Sequence, residues 1–512
     1  MTPRHLCGLL EEAELHHGDR LFLSDERVSF TYAQLGTATR RLGGWLSRQG
    51  FRRGDRAVIL TRNRAEVALA AFATARLGGI FAVLHGAIRE PGLRRILEQV
   101  TPTVAFLDES SAHLAPAFAD VPIVWVGEGA EPSSGMRLSR ILDSAPVECP
   151  PFAGLDVDPV CLIYTSGSTG APRGVTLSHD NILFVVDAIQ ARLQYRVEDV
   201  VGVFLPLSFD YGLYQVFLAA QVGAGVFVGS AELAGPALVT TLERQRVTVL
   251  PGVPTLFAAL LKLLGRSGAG ALRLRALTNT GAHLPASHVE QLRRQLPGVS
   301  VFPMYGLTEC KRVSILLPEE LEAHPGSVGR ALPGTEAMIL DEQGQVLPPG
   351  EVGELVIQGR HVALGYWRAP EETALRYRTH PRGLGRVLYS GDLFRMDAEG
   401  FLQFVGRRDF LLKRRGFRMH PLEIEEVACG LPGVAEAGVV QEAQGDRLHL
   451  FVTSTPGAPP PREAGLLDAL ASRLESYKVP DEVHQVPELP RTANGKLDRA
   501  ALASRLAAGG LP

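Results

Sequence analysis

The stretch Val160–Asn181, VCLIYTSGSTGAPRGVTLSHDN, decides how the rest of the chain is read. An apolar strand from Val160 to Tyr164 runs into a loop of serine, threonine and glycine, after which a helix is expected. Gly167 and Gly170 let successive backbone N–H groups turn toward one anion; Thr165, Ser166, Ser168 and Thr169 add hydroxyl donors, and Arg173 supplies a cation. Such a cradle suits a nucleotide polyphosphate. Its spacing is neither GxxxxGK[ST] nor GxGxxG, which argues against a Walker-type NTPase or a dinucleotide fold.

Outward from this loop, the chain alternates strand and helix. Arg56 opens a buried strand, RAVIL, followed by an amphipathic helix that ends at glycines and a second strand, IFAVLH, which together make a βαβ unit. Similar alternation at DVVGVFLPL, VFLAAQVGAGVFVG and RVTVLPGVPTLFAALLKLLG predicts parallel α/β layers over the first 400 residues. After about Pro333, short strands with Gly/Pro turns predict a β-rich subdomain. The last hundred residues read as a small α+β unit, with helices at 421–430 and 463–477, strands at 434–441 and 447–454, and a loop at 455–461.

Composition excludes other classes. A chain of 512 residues, 46% hydrophobic and 21% charged, has interior for more than one domain. Its 52 basic and 55 acidic residues leave a formal charge of -3, which disfavours nucleic acid as a partner. Five cysteines without metal-ligand spacing fit reduced thiols and a cytoplasmic setting. No stretch has the roughly 20 apolar residues that span a bilayer, and no secretory leader is expected.

Four later segments carry chemistry beside the loop YTSGSTGAPRGV (164–175): YGLTE (305–309), YSGD (389–392), GRRDFLLKRRGFRMHPLEIE (406–425) and PRTANGKLDR (490–499). Singly, YGLTE is a strand-to-loop turn, YSGD a turn, RRDFLLKRR a solvated basic face and Lys496 an exposed lysine. Together and in this order they resemble the adenylate-forming, AMP-binding superfamily: acyl-CoA synthetases, free-standing adenylation domains of peptide synthetases, and luciferases. The resemblance covers nearly the whole chain. It implies an α/β fold, with a large N-terminal domain of parallel-sheet layers and a β-rich subdomain over 1–408. A small mobile α+β lid follows over 409–512, hinged at Asp409.

The resemblance also implies a reaction. A carboxylate attacks the α-phosphate of ATP in line, pyrophosphate leaves, and a thiol of coenzyme A or of a carrier protein's phosphopantetheine then takes the acyl group. A carrier, where used, is expected to be a separate protein. Thr165 to Gly170 match the loop that holds the β- and γ-phosphates, and Arg173 stands where lysine is usual. Gly281 and Ala282 match an adenine-contacting segment, and Tyr305, beside Gly306, the aromatic stacked on adenine. Thr308 matches an α-phosphate contact, Glu309 the magnesium-holding carboxylate, and Asp392 the acid that binds the ribose hydroxyls. Arg407 and Arg418 match phosphate-facing arginines, Gly416 a glycine of the thiol tunnel, and Lys496 the catalytic lysine of the first step.

For the acid, LPLSFDYGLYQ occupies the acyl-pocket region, with Phe209 at the gate position. Asp210 matches the acid that pairs with an α-amino group, or caps the helix that follows; both readings stand. Tyr211, Tyr214, Thr278, Thr280, Met304, Arg312 and Val313 approximate the remaining wall. Arg312 either meets a second carboxylate or points to solvent. A small or medium polar acid or amino acid is expected. Two other readings remain open: transfer of the adenylate to a nitrogen nucleophile or without a thioester, and a non-catalytic sensor of nucleotide or acyl-adenylate.

Overall fold

The computed structural model describes residues 4–128, 134–145, 147–166, 172–408, 412–414, 417–442, 447–455, 463–492 and 496–507. The βαβ unit read from RAVIL forms as expected. Strands Arg56–Leu60 and Ile80–Val83 are parallel neighbours, joined by helix Glu66–Arg76. Every residue of that helix is buried, and its many alanines let it pack closely on all sides.

Two such strands nucleate an eight-stranded sheet. Its order runs Gly365–Tyr366, Pro172–Ser178, Pro159–Ser166, Ile80–Val83, Arg56–Leu60, Val104–Leu107, Ile123–Trp125, Met136–Arg137. A nine-stranded sheet has at its centre the parallel strands Gly225–Val228, Val200–Val203, Val249–Gly252, Ala276–Asn279 and Ser300–Tyr305. Apolar residues of both sheets and of the helices against them share one large core. The carboxyl ends of Ala276–Asn279 and Ser300–Tyr305 open onto a cleft, the usual place for a ligand in an α/β sheet.

The segment after the phosphate loop departs from expectation. It is a strand, Pro172–Ser178, antiparallel to Pro159–Ser166 with Thr165 opposite Arg173. Alternating residues in GVTLS let it pair with the strand before it, and the helix starts only at His179, where the Ser178 hydroxyl caps the Asn181 N–H.

After Pro333, where a β-rich subdomain was expected, a third sheet forms and is antiparallel: Thr335–Leu340, Val352–Gly359, Arg386–Met396 and Tyr377–Thr379, with Leu402–Arg407 paired to Arg386–Met396. The C-terminal unit has helix Pro421–Cys429 against strands Val434–Gln441, Leu448–Ser454 and Glu482–Gln485. Its core of Ile424, Val439, Leu450, Leu466, Leu470 and Val483 is separate from that of the body. The helix predicted over 463–477 stops at Ala471, because Leu474 and Tyr477 reach the core from turns. Of the proline-rich loop, 456–461 lie outside the described residues.

Candidate active site

A cleft of about 1520 Å³ lies between the body and the C-terminal unit. At one end Tyr305, the last residue of its strand, is buried, with the Phe394 and Phe404 rings 4.6 and 6.2 Å away. Its hydroxyl donates to Asp392 Oδ2 at 2.5 Å. Asp392 sits inside a strand rather than a turn, directly across from Arg407, whose Nε is 3.2 Å from Oδ1. Burial raises the Asp392 carboxyl's pKa, and Arg407 and Tyr305 oppose that rise. The Arg407 N–H donates to His420 Nε2 at 2.7 Å, and burial holds His420 neutral, with its pKa lowered to about 4.

The loop from Gly306 to Arg312 serves both ends of the cleft. A side chain at Gly306 would meet the Lys311 carbonyl oxygen at 1.7 Å, so only glycine lets the loop fold back on itself. Lys311 takes a left-handed conformation, with φ 65°, to complete that turn. Glu309 then faces the cleft, where Tyr366 Oη donates to Oε1 at 2.8 Å. Arg173 lies over the same Tyr366 ring, 5.7 Å from its centre. Thr165, Thr308, Gly281 and Ala282 line the cleft nearby.

Further along, Lys311 and Arg312 line the part of the cleft where the acyl wall was expected. Lys311 Nζ is 3.1 Å from Asp210 Oδ2, and both side chains are buried. Asp210 is not a helix cap: Phe209 holds that position, and Asp210 begins the helix, where a carboxylate favours the positive end of the dipole. Phe209, Tyr211, Tyr214, Thr280 and Met304 complete this wall. Thr278 and Val313 do not. Thr278 lies beneath the wall, its carbonyl accepting from the Tyr211 hydroxyl and its own hydroxyl hydrogen-bonded to the same oxygen, and Val313 belongs to the core.

From the C-terminal unit, Lys496 enters the cleft on a loop pinned by Thr492, whose N–H donates to the Lys496 carbonyl at 2.8 Å. Enclosure by the cleft walls and the charge of Arg407 lower its pKa, while Asp210, Asp392 and Glu309 favour the cation. His283 of the body is 3.0 Å from Glu426 of the C-terminal unit, across the same cleft.

Residues 10–367 match the family described as AMP-binding enzyme, and residues 423–496 its C-terminal domain. The chain belongs to the AMP-binding enzyme family. Feruloyl-CoA synthase of Amycolatopsis is 30% identical to it, over 92% of each chain. The crystal structure of an anthranilate CoA ligase in complex with anthranoyl-AMP superposes with a TM-score of 0.90 at 25% identity, covering 99% of this chain and 98% of that one. VinN, crystallised with L-aspartate, is 33% identical and superposes with a TM-score of 0.70 over 78% of this chain and 98% of its own. The chain spans only 6 to 10% of the length of the peptide synthetases it also matches.

Within this AMP-binding fold, the structure brings together the side chains read from the motifs on both sides of the cleft. Gly167, Ser168, Thr169, Gly170, Asp409 and Gly416 lie outside the described residues, as do the side chains of Ser166 and Arg418. The basic face expected at 407–415 is only partly solvated. Arg408 is exposed and 3.0 Å from Glu354, but Arg414 is buried against Asp481 at 2.6 Å and donates to the Val479 carbonyl. Tyr366, Arg376, Lys311 and His420 were not singled out by sequence. Arg376, which donates to the Ser390 carbonyl beside Asp392, sits in an ordinary amphipathic stretch that carries no signal of its place. Lys311 alone left a trace, as a second cation beside Arg312.

Proposed function

We propose that the protein uses ATP to convert a small or medium polar carboxylic acid or amino acid into its acyl-adenylate with release of pyrophosphate. It then passes the acyl group to the thiol of coenzyme A or of a carrier protein's phosphopantetheine. One observation carries this reading: Lys496 enters the cleft from the C-terminal unit among Asp392, Glu309 and Asp210, where a nucleotide and an acid would meet. The L-aspartate bound to VinN supports an amino acid as substrate.

The residues divide the work. Tyr305 offers adenine a buried flat face, and Asp392 Oδ1 has no hydrogen bond of its own and accepts from the ribose hydroxyls. Arg173 and Thr165 hold the outer phosphates, Arg173 through a two-pronged guanidinium where a lysine would give a point charge. Glu309, held by Tyr366 through Oε1, keeps Oε2 for the hard cation that suits a carboxylate oxygen. Magnesium, when bound there, would neutralise phosphate charge. The Lys496 ammonium orients the carboxylate and balances the charge that builds on the α-phosphate while the bond to pyrophosphate breaks.

In the second step the thiol sulfur bonds to the acyl carbon and the carbon–oxygen bond to AMP breaks. A lid over 409–512, turning at Asp409, belongs to this reading, as do Arg418 at the phosphates, Gly416 in the thiol path and a cytoplasmic setting. The test is pyrophosphate release over a library of acids, each positive acid then offered coenzyme A and a pantetheinylated carrier. Release followed by thioester is expected. Release without thioester points to another acceptor, and no release from any acid overturns the reading in favour of a sensor.

A further inference from the structure

The acyl end of the cleft has one positive charge too many for a simple monocarboxylic acid. Arg312 is only 6% exposed, and its Nε and Nη1 are buried without a hydrogen-bond partner among the described residues. Asp210 gives Oδ2 to the buried Lys311, and no ion pair with Arg312 is found among the described residues. The Tyr211 ring lies 5.1 Å from the guanidinium and offsets part of this imbalance. Its hydroxyl is turned to Thr278. Tyr214 Oη and Thr280 Oγ1 on the same wall are also buried and unpartnered.

A guanidinium out of water without an acceptor is costly, and an aliphatic or aromatic acyl chain would leave it so. A carboxylate removes the cost, because its two oxygens match the guanidinium fork. Resting on the activation reading above, we propose that the substrate is a small dicarboxylic acid: one carboxylate turns to Lys496 and the nucleotide, and the other is received by Arg312. Tyr214 and Thr280 supply hydroxyls beside it. Arg312 is then a specificity-determining residue and takes no part in the bond changes.

The experiment compares acids that differ only at the second carboxylate: succinate with succinamate, and L-aspartate with L-asparagine. Octanoate and benzoate serve as monoacid controls. Pyrophosphate release is measured for the native enzyme and for Arg312→Gln. The diacids are expected to exceed their amides at least about 100-fold in kcat/KM, since a buried polar site rejects analogues that leave it unpaired. Arg312→Gln should lose about that factor on the diacids and change amide turnover less than about 3-fold. Equal turnover of diacid and amide, or an equal loss on both in the variant, overturns the proposal. Should the variant not fold, the native-enzyme pairs decide alone. Release from monoacids only would leave the activation reading standing and overturn this one. If no acid releases pyrophosphate, the activation reading falls. Melting temperatures with AMP then decide the subsite: a rise with succinate or L-aspartate beyond that with the amides supports it, and equal shifts overturn it.

Discussion

At the end of the cleft proposed for the nucleotide, Tyr305 donates to Asp392, Tyr366 donates to Glu309 and Arg407 lies against Asp392. At the end proposed for the acid, on the loop that carries Glu309, Arg312 has two buried nitrogens with no hydrogen-bond partner among the described residues. The contrast is one of preorganisation. On the proposed function the nucleotide is common to every turnover, and a receptor whose groups already hold one another would bind it with little reordering. The acid would be the variable reactant, and a wall left incomplete until the right acid arrives would convert an unpaired charge into discrimination.

The largest effect should come where the two ends meet. Lys496→Ala is expected to lower acid-dependent pyrophosphate release about 1000-fold while ATP binding, followed by titration calorimetry, persists. Retained release would separate the ends and remove Lys496 from the chemistry. Next comes Arg312→Gln, with its loss of about 100-fold confined to diacids. By contrast, Tyr305→Phe, which removes the hydrogen bond to Asp392, should raise the KM for ATP about 10-fold and by the same factor whichever acid is present. An acid-dependent change would show that the two ends are coupled. Tyr366→Phe should be milder, with about a 3-fold increase in the magnesium needed for half-maximal rate.

Protons provide a further test of the framework. Burial lowers His179, His361 and His420 from 6.5 to about 4, so the unfolded chain binds more protons than the native one between those values. Stability should therefore be intact above about pH 6.5 and decline as pH falls toward 4, by roughly 3 kcal/mol at most for each histidine. Urea midpoints across that range check the sign. His420→Gln should flatten part of the slope; its ring accepts the Arg407 N–H at the nucleotide end.

Much of this was legible in the residues. RAVIL, its buried helix and IFAVLH announced a parallel layer because burial on both strand faces leaves a continuous apolar run. YGLTE and YSGD announced chemistry by their order along the chain, although each reads locally as a turn. The strand Pro172–Ser178 was missed because a seven-residue segment that ends on a helix cap at Ser178 carries no decisive periodicity. Arg414 was read as solvated because a basic run gives no hint that Asp481 waits 67 residues away.

By itself, the sequence determined the layers, the order of the motifs and the candidacy of Arg312 and Asp210 for the acyl wall. These follow from local spacing and from the free energy of burying apolar side chains. Only the tertiary structure decided who meets whom: Tyr305 with Asp392 across 87 residues, Lys311 with Asp210 across 101, and Arg312 with the Tyr211 ring while its Nε and Nη1 find no hydrogen-bond partner among the described residues. Pairing in a buried cleft depends on backbone turns such as the one at Lys311 and on which groups lose water together, and neither is written in the spacing along one strand or helix.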